Sequence, residues 1–453
     1  MKKISTQEMI SGPLLSPIIR YTIPVILTGV LQLLFNAADL VVVGQFCGSK
    51  SVAAVGATGS LVNLIVNLFV GLSMGTGVVV SQGLGAGNGK KVHQAIHTAI
   101  PLAIISGAVV MIVGLIFAPL LLQAMETPPE IIELSALYLR IYFCGAIFMM
   151  LYNYGAAILR AAGDTQGPLL YLSIAGILNV FLNLFFVTVC HFNVAGVALA
   201  TTLSQVLSGT LVLRALMRRT DGCKLIWKEL GLHRAPMLQI LRIGLPAGIQ
   251  SSLFSISNVL IQSSINSFGS VCVAGNSAAS NLEGFVYITM NSFYQSALTF
   301  TGQNVGAGNY DRVRKVLQTC LWLVVVFGAF FGIGVYLLGK PLLSIYINDA
   351  PDAILYGMKR LSHISVIYFM CGMMEVIVGT LRGMGLSFSA MLISVFGVCG
   401  VRMLWVLFIF PISEFHNLSS LYFSYPISWA VCIIADVIIF YAVLHKRKKK
   451  YAK

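Results

Sequence analysis

Long apolar runs follow one another along almost the whole chain, parted by short polar loops. About 20 apolar residues, rising ~1.5 Å each as a helix, cross the hydrocarbon of a bilayer. Inside that hydrocarbon each backbone N–H and C=O must be paired within the segment, so such runs fold as helices. One helix per run gives about twelve, over 14–46, 54–82, 92–123, 131–155, 166–189, 194–218, 238–266, 272–301, 313–346, 354–380, 385–411 and 421–445. The expected fold class is an all-α polytopic membrane protein. Composition agrees: 57% of residues are hydrophobic and 10% charged, against about 25% charged in soluble domains.

The net charge of +14 does not point to nucleic acid, because of where the cations lie. Lys2 and Lys3, Lys90 and Lys91, Arg160, the 214–242 segment, Arg312 to Lys315, Arg382 and the KRKKK tail fall in the tails or in alternate loops. Those loops share one side, which by the positive-inside bias is the cytoplasm, with both termini there. The opening MKKISTQEMISGPLLSP has no A-x-A-like cleavage site, so the first helix is expected to be retained in a multi-pass protein of the plasma membrane. Nine scattered cysteines with no C-x-x-C predict neither a disulfide nor a structural metal site.

The chain repeats itself. Ile23-Pro24 matches Leu245-Pro246, and Asn36 falls on Asn258. SQGLGAGN (81–88) matches GQNVGAGN (302–309), and ILRAAGD (158–164) matches TLRGMGL (380–386). Six spans per repeat keep both halves in one orientation, so the repeat is parallel, and two facing bundles would enclose a central cavity. The expected domains are an N-lobe over 1–218, a basic cytoplasmic linker over 219–236, a C-lobe over 237–445 and a basic cytoplasmic tail over 446–453. Within the linker, KLIWKELG is expected as a short interfacial helix.

Polar residues inside the spans are costly and therefore informative. Asp39 sits within the first span, with no Lys or Arg between Arg20 and Lys50, where an acid costs ~3 kcal/mol by insertion scales. Asn36 and Gln32 precede it by three and seven residues, on the same helix face. Asn63 and Asn67 lie a turn apart in the second span, and Asn179 and Asn183 in the fifth. In the seventh span Gln250, Asn258, Gln262 and Asn266 form a ladder, and in the eighth Glu283, Tyr287, Asn291 and Gln295 form another. A single Asn joins spans by hydrogen bonds; ladders that also carry Glu or aromatics are expected to line a cavity. Gln32, Asn63, Asn67, Asn258, Gln262, Tyr287, Met290 and Asn291 are the substrate-cavity candidates. Glu283, Glu375 and Arg402 make a charged cluster in the C-lobe, with Arg402 expected to pair with one of the two acids. Asp436 is read as structural. The chain lacks G-x-x-x-x-G-K-[ST] and H-E-x-x-H, and has no G-x-S-x-G with plausible partners, so it is not read as an enzyme.

FNAADLVVVG, the paired GAGN loops, LRAAGDTQ with LRGMG, and NLEGFVYITMNSFYQSALTFTGQNVGAG together resemble the multidrug and toxic compound extrusion (MATE) transporters over nearly the whole chain. That resemblance implies two six-helix lobes exporting small amphipathic, often cationic compounds in exchange for H+ or Na+. The wider MOP flippase superfamily supplies the alternative, export of a lipid-linked or polyanionic precursor. Carried over by position, Asp39 matches the family's first-span acid, Asn179 its span-5 Asn, Tyr138 a span-4 tyrosine and Thr201 a span-6 threonine. Asn36 joins them as a neighbour of Asp39. Asn183 stands where some members carry a second acid, which tilts the coupling ion toward H+; Na+ near Asp39 is the other choice. The expected partners are drug-like cations and membrane lipid, with no cofactor and a monomeric chain.

Overall fold

The computed structural model describes residues 3–125, 127–347 and 351–451; Lys2 and the last two residues of the expected tail lie outside them. Regular structure among the described residues is entirely helical. After a short turn at Thr6–Ile10 come α1 (Leu15–Phe46), α2 (Ser49–Gly85), α3 (Gly89–Ala124), α4 (Pro129–Cys144), α5 (Ala146–Ala161), α6 (Gln166–Val189) and α7 (Asn193–Met217). The second repeat contains α8 (Arg234–Asn266), α9 (Ser270–Gly306), α10 (Tyr310–Leu337), α11 (Gly339–Tyr346), α12 (Pro351–His363), α13 (Phe369–Gly383), α14 (Ser387–Ile409) and α15 (Leu418–Tyr451).

Eight of these helices are long and apolar enough to cross a membrane, or ten if each bent pair counts as one span. The bent pairs are α4 with α5, at 50°, and the segment Pro351–Ile367 with α13, at 44°. α8 and α9 are as long, but their Ser, Asn and Gln keep them below that apolarity. Large exposed side chains such as Phe181, Phe330, Leu337 and Phe396 form surface that suits lipid rather than water. The chain is a multi-pass membrane protein.

The repeat is written in the backbone as well as in the letters. Glycines with left-handed φ recur in pairs at Gly48 and Gly269, Gly87 and Gly308, and Gly163 and Gly385. In the GAGN loops this conformation ends one helix, which a side chain would hinder. Asn88 then caps α3, its side chain accepting from Lys91 N at 2.9 Å. Wide π turns also recur, at Phe185–Val189 in α6 and at Trp405–Ile409 in α14.

Two compact units do not follow the repeat boundary. Residues 1–6 and 23–252 form unit 1, and residues 7–22 and 253–453 form unit 2. Small residues explain the membership. In unit 1 a Cβ on Gly71 would lie 2.3 Å from Gly248 N, and one on Gly75 would lie 2.4 Å from Ile240 O. The start of α8 therefore rests backbone to backbone on α2, as small-residue seams in membranes allow. In unit 2, Tyr21 and Thr22 of α1 hydrogen-bond Thr299 and Ser296 of α9 at 2.8 and 2.7 Å.

Two expectations change. Of KLIWKELG only Trp227–Glu229 is helical, a single 3-10 turn, because Ile226 N is held by His97 Nε2 at 3.0 Å and the segment is tied to α3 instead. The last helix does not stop at 445 but continues through the basic residues to Tyr451.

Candidate functional site

α1 places Gln32, Asn36 and Asp39 on one face, and Asp39 is buried at 8% exposure. Facing it, α6 supplies Asn179 and Asn183 one turn apart, directly before its π turn, and α7 supplies Thr201. Asn183 Nδ2 donates to Asp39 Oδ1 at 2.5 Å, and Thr201 Oγ1 donates to Oδ2 at 3.4 Å. The amides are linked in turn: Asn183 Nδ2 lies 3.3 Å from Asn179 Oδ1, and Asn179 Nδ2 lies 3.3 Å from Thr201 Oγ1. Asn183 Oδ1 is buried and has no hydrogen-bond partner among the described residues. A π turn widens the helix and commonly marks a site where backbone regularity yields to function.

This cage opens on a cavity of about 430 Å³ inside unit 1. Gln32, Asn36, Asn63, Tyr138, Asn179 and Thr201 line it with Asp39, while Asn67 is half-buried outside the lining. Tyr142, Met149, Asn153 and Gln205 also line it, and sequence reasoning missed them. Gln205 follows Thr201 by one helical turn, a spacing that could have revealed it. The α4–α5 bend at Gly145 brings these side chains in, and Thr202 Oγ1 donates to Ile141 O at 2.8 Å beside the break. Tyr138 and Tyr142 stack with centroids 6.0 Å apart. Among the described lining residues Asp39 alone carries a formal charge.

In unit 2 the charged cluster is not the one expected. Glu283 pairs with Arg360 of α12, whose Nη2 lies 2.7 Å and Nε 3.1 and 3.2 Å from its carboxylate oxygens. Arg360 Nη1 also donates to Asn276 Oδ1 at 2.9 Å. Arg402 instead donates to Ser428 Oγ at 3.3 Å and Asn258 Oδ1 at 3.4 Å, with its guanidinium 4.0 Å from the centre of the Tyr425 ring. The expected Arg402–acid pair is corrected: Tyr425 and two neutral oxygens satisfy the cation, and Arg360 takes Glu283. Gln262 donates to Asn266 and accepts from Asn276. Tyr287 and Asn291 lie one turn apart on α9. Met290 is fully buried, its sulfur against Gly328 and Gly372, so it packs helices rather than lining a cavity. Glu375 is buried on α13.

The MatE family model matches the chain twice, over residues 24–185 and 246–407. The chain belongs to the MatE family. Each match begins at a helix proline, Pro24 or Pro246, and ends within a π turn. Members of this family are transporters rather than enzymes. A probable multidrug resistance protein of Bacillus subtilis (strain 168), YoeA, is 27% identical over 439 residues, covering 95% of this chain and 94% of its own. A second from the same organism, YpnP, is 26% identical over 401 residues, covering 85% and 86%. A crystal structure of a MATE protein in the bent conformation superposes with a TM-score of 0.90 at 21% identity, covering 100% of both chains; that likeness shows the fold.

Among the described residues of this MatE chain one cluster has metal-ligand chemistry. His93, His97 and Glu229 bring ligand atoms within 4.8 Å of one another. Both ring nitrogens of His97 are engaged, Nδ1 with His93 O and Nε2 with Ile226 N, and His93 Nε2 lies 2.7 Å from Glu229. A metal would have to displace these bonds, so the cluster works as a tie between α3 and the linker. Nearby, Asp164 accepts from Gly167 N at 2.9 Å and pairs with Lys3 at 3.1 Å. Arg219 forks onto Asp221, whose Oδ1 accepts from Cys223 N at 3.1 Å.

Proposed function

We propose that the chain is a secondary active multidrug efflux antiporter, exporting amphipathic organic cations in exchange for protons by alternating access. One observation carries the reading: the cavity of unit 1 has aromatic and thioether walls, and Asp39 is its sole formal charge among the described lining residues. Flat cations are attracted by ring faces and polarisable sulfur, and a carboxylate adds their counter-charge. A proton competes for the same carboxylate. When Asp39 takes it, the Asn183 donor loses its anion, the substrate loses its counter-charge, and the polar cage must rearrange around α1. Pro24, which lacks an N–H, offers α1 a place to bend.

Sodium is the other candidate. It would use Asp39 with Asn179 Oδ1, Thr201 Oγ1 and Asn183 Oδ1, and it requires the Asn183 amide to turn its oxygen inward. The Asn183 amide now presents its N–H rather than its oxygen to Asp39, which disfavours sodium. Export of a polyanionic or lipid-linked precursor would need cations on this wall, and the described lining residues carry none. The relatives' names as multidrug resistance proteins agree with drug substrates. The protein is placed in the plasma membrane with cytoplasmic termini, its repeats over 1–218 and 237–445 act as lobes, and it works as a monomer because one chain holds both.

The test is dye efflux from proteoliposomes with a pH gradient or a sodium gradient imposed separately. A pH gradient alone is expected to drive export, and Asp39→Asn to abolish it with normal expression. Export by that variant at the wild-type rate would overturn the role given to Asp39.

A further inference from the structure

The cage around Asp39 is built by the first, fifth and sixth spans of the first repeat, α1, α6 and α7. Their counterparts in the second repeat are α8, α14 and α15, and these meet in unit 2 around a group of opposite sign. Asn258 stands at the position of Asn36. Arg402 falls between the positions of Asn179 and Asn183 and, like them, lies just before a π turn, Trp405–Ile409. A further π turn, Val395–Gly400, lies on its other side, so α14 is widened both before and after Arg402.

Arg402 is buried, and every group that holds it is neutral. Nε donates to Ser428 Oγ at 3.3 Å, Nη1 donates to Asn258 Oδ1 at 3.4 Å, and the Tyr425 ring centre is 4.0 Å from the guanidinium. Among the described residues Arg402 makes no ion pair. Arg360 also lies near the Tyr425 ring, 5.7 Å from its centre, and Glu283 neutralises it. Two guanidiniums thus share one tyrosine and have one carboxylate, which leaves the charge of Arg402 without a counter-ion.

A cation inside a spanning helix is costly and marks a binding role when no residue neutralises it. Nη2 has no hydrogen-bond partner among the described residues, and the Nη1 bond to Asn258 is long. The Nη1–Nη2 edge therefore offers two parallel donors, the fork that a carboxylate accepts. Asn258, at that edge, is exposed, so a ligand can reach the fork without opening the core. We propose that Arg402, with Asn258 and Tyr425, is a carboxylate-binding site in unit 2, the charge-inverted counterpart of the Asp39 cage. A compound that carries an acid finds here the counter-charge that Asp39 cannot give it, whichever ion Asp39 couples to.

The test is tryptophan fluorescence of the full-length protein in lipid nanodiscs, titrated separately with sodium benzoate, benzamide and sodium chloride. Trp429 is the reporter, its ring centre 6.0 Å from that of Tyr425. Benzoate is expected to give a saturable change, and benzamide, its neutral isostere, and chloride, a bare anion, none at the same concentrations. Arg402→Gln should weaken benzoate binding about tenfold or more, the scale of a hydrogen bond to a charged group. Arg402→Lys keeps the charge but loses the fork, and should weaken it several-fold. Asp39→Asn should leave benzoate binding as it is, because that carboxylate belongs to unit 1. The site is overturned if benzoate has no saturable effect, if benzamide or chloride reproduces it, if Arg402→Gln binds benzoate like the wild type, or if Asp39→Asn abolishes binding. Should Arg402→Gln not fold, wild-type binding by Arg402→Lys is sufficient to reject it.

Discussion

The Phe35 ring lies where a side chain on Gly176 would have to go: a Cβ there would stand 1.9 Å from the ring edge. Both residues line the cavity, so this contact sets how closely α1 approaches α6 beside Asp39. Gly176→Val should destabilise the protein by about 1–3 kcal/mol through overpacking and cut dye efflux. Adding Phe35→Ala should restore part of both. Thermal melting in detergent and efflux assays check this; an unaltered Gly176→Val protein would remove the contact from consideration.

Asn183 and Thr201 should not matter equally to Asp39. The Asn183 bond is the shorter, and the single hydroxyl proton of Thr201 is shared between Asp39 and the nearer Val197 O, at 3.0 Å. A hydrogen bond to a charged group contributes about 1.5–3 kcal/mol, so Asn183→Leu should slow efflux about tenfold or more. Thr201→Val should cost only a few-fold by the same reasoning. Initial rates from energised vesicles decide it, and the reverse ranking would contradict the geometry.

The Glu283–Arg360 pair has both side chains under 10% exposed, at 5% and 8%. Removing one partner of such a pair strands a charge, at about 3–5 kcal/mol. Arg360→Met should therefore lower the melting temperature sharply, whereas Glu283→Leu with Arg360→Met should recover most of the loss. A double variant as unstable as the single one would mean the pair is not the source of the effect.

Outside the membrane, Arg219 holds Asp221 below the usual carboxylate range, and burial pushes the Cys223 thiol up to about 12. Because the folded-state value of Asp221 is depressed, its contribution is present above the ordinary carboxylate value of 3.8 and lost as pH falls through the lower folded value. At pH 8 Cys223 should resist maleimide, being both buried and protonated. Arg219→Ala should free the turn and raise the labelling rate at least several-fold. Equal labelling in both proteins would show that the fork does not hold this turn.

The helical, duplicated plan was legible because apolar length and repeated loop letters are local properties. Asp39, Asn179, Asn183 and Thr201 could be grouped through the family resemblance, and the structure brings their side chains together. Arg360 escaped notice because a cation near the start of an expected span reads as an interfacial residue, and nothing local reveals that Glu283, 77 residues earlier, lies against it. For Arg402 the sequence points to an acid, because nothing local shows that the Tyr425 ring lies under it.

The division of α1 bears on how the chain is made. Tyr21 and Thr22 leave the ribosome early, yet their hydrogen-bond partners Thr299 and Ser296 follow 278 and 274 residues later. The start of α8, by contrast, rests on Gly71 and Gly75, which precede it in synthesis. All of unit 1 is thus synthesised by residue 252, whereas residues 7–22 must await partners synthesised with residues 253–453.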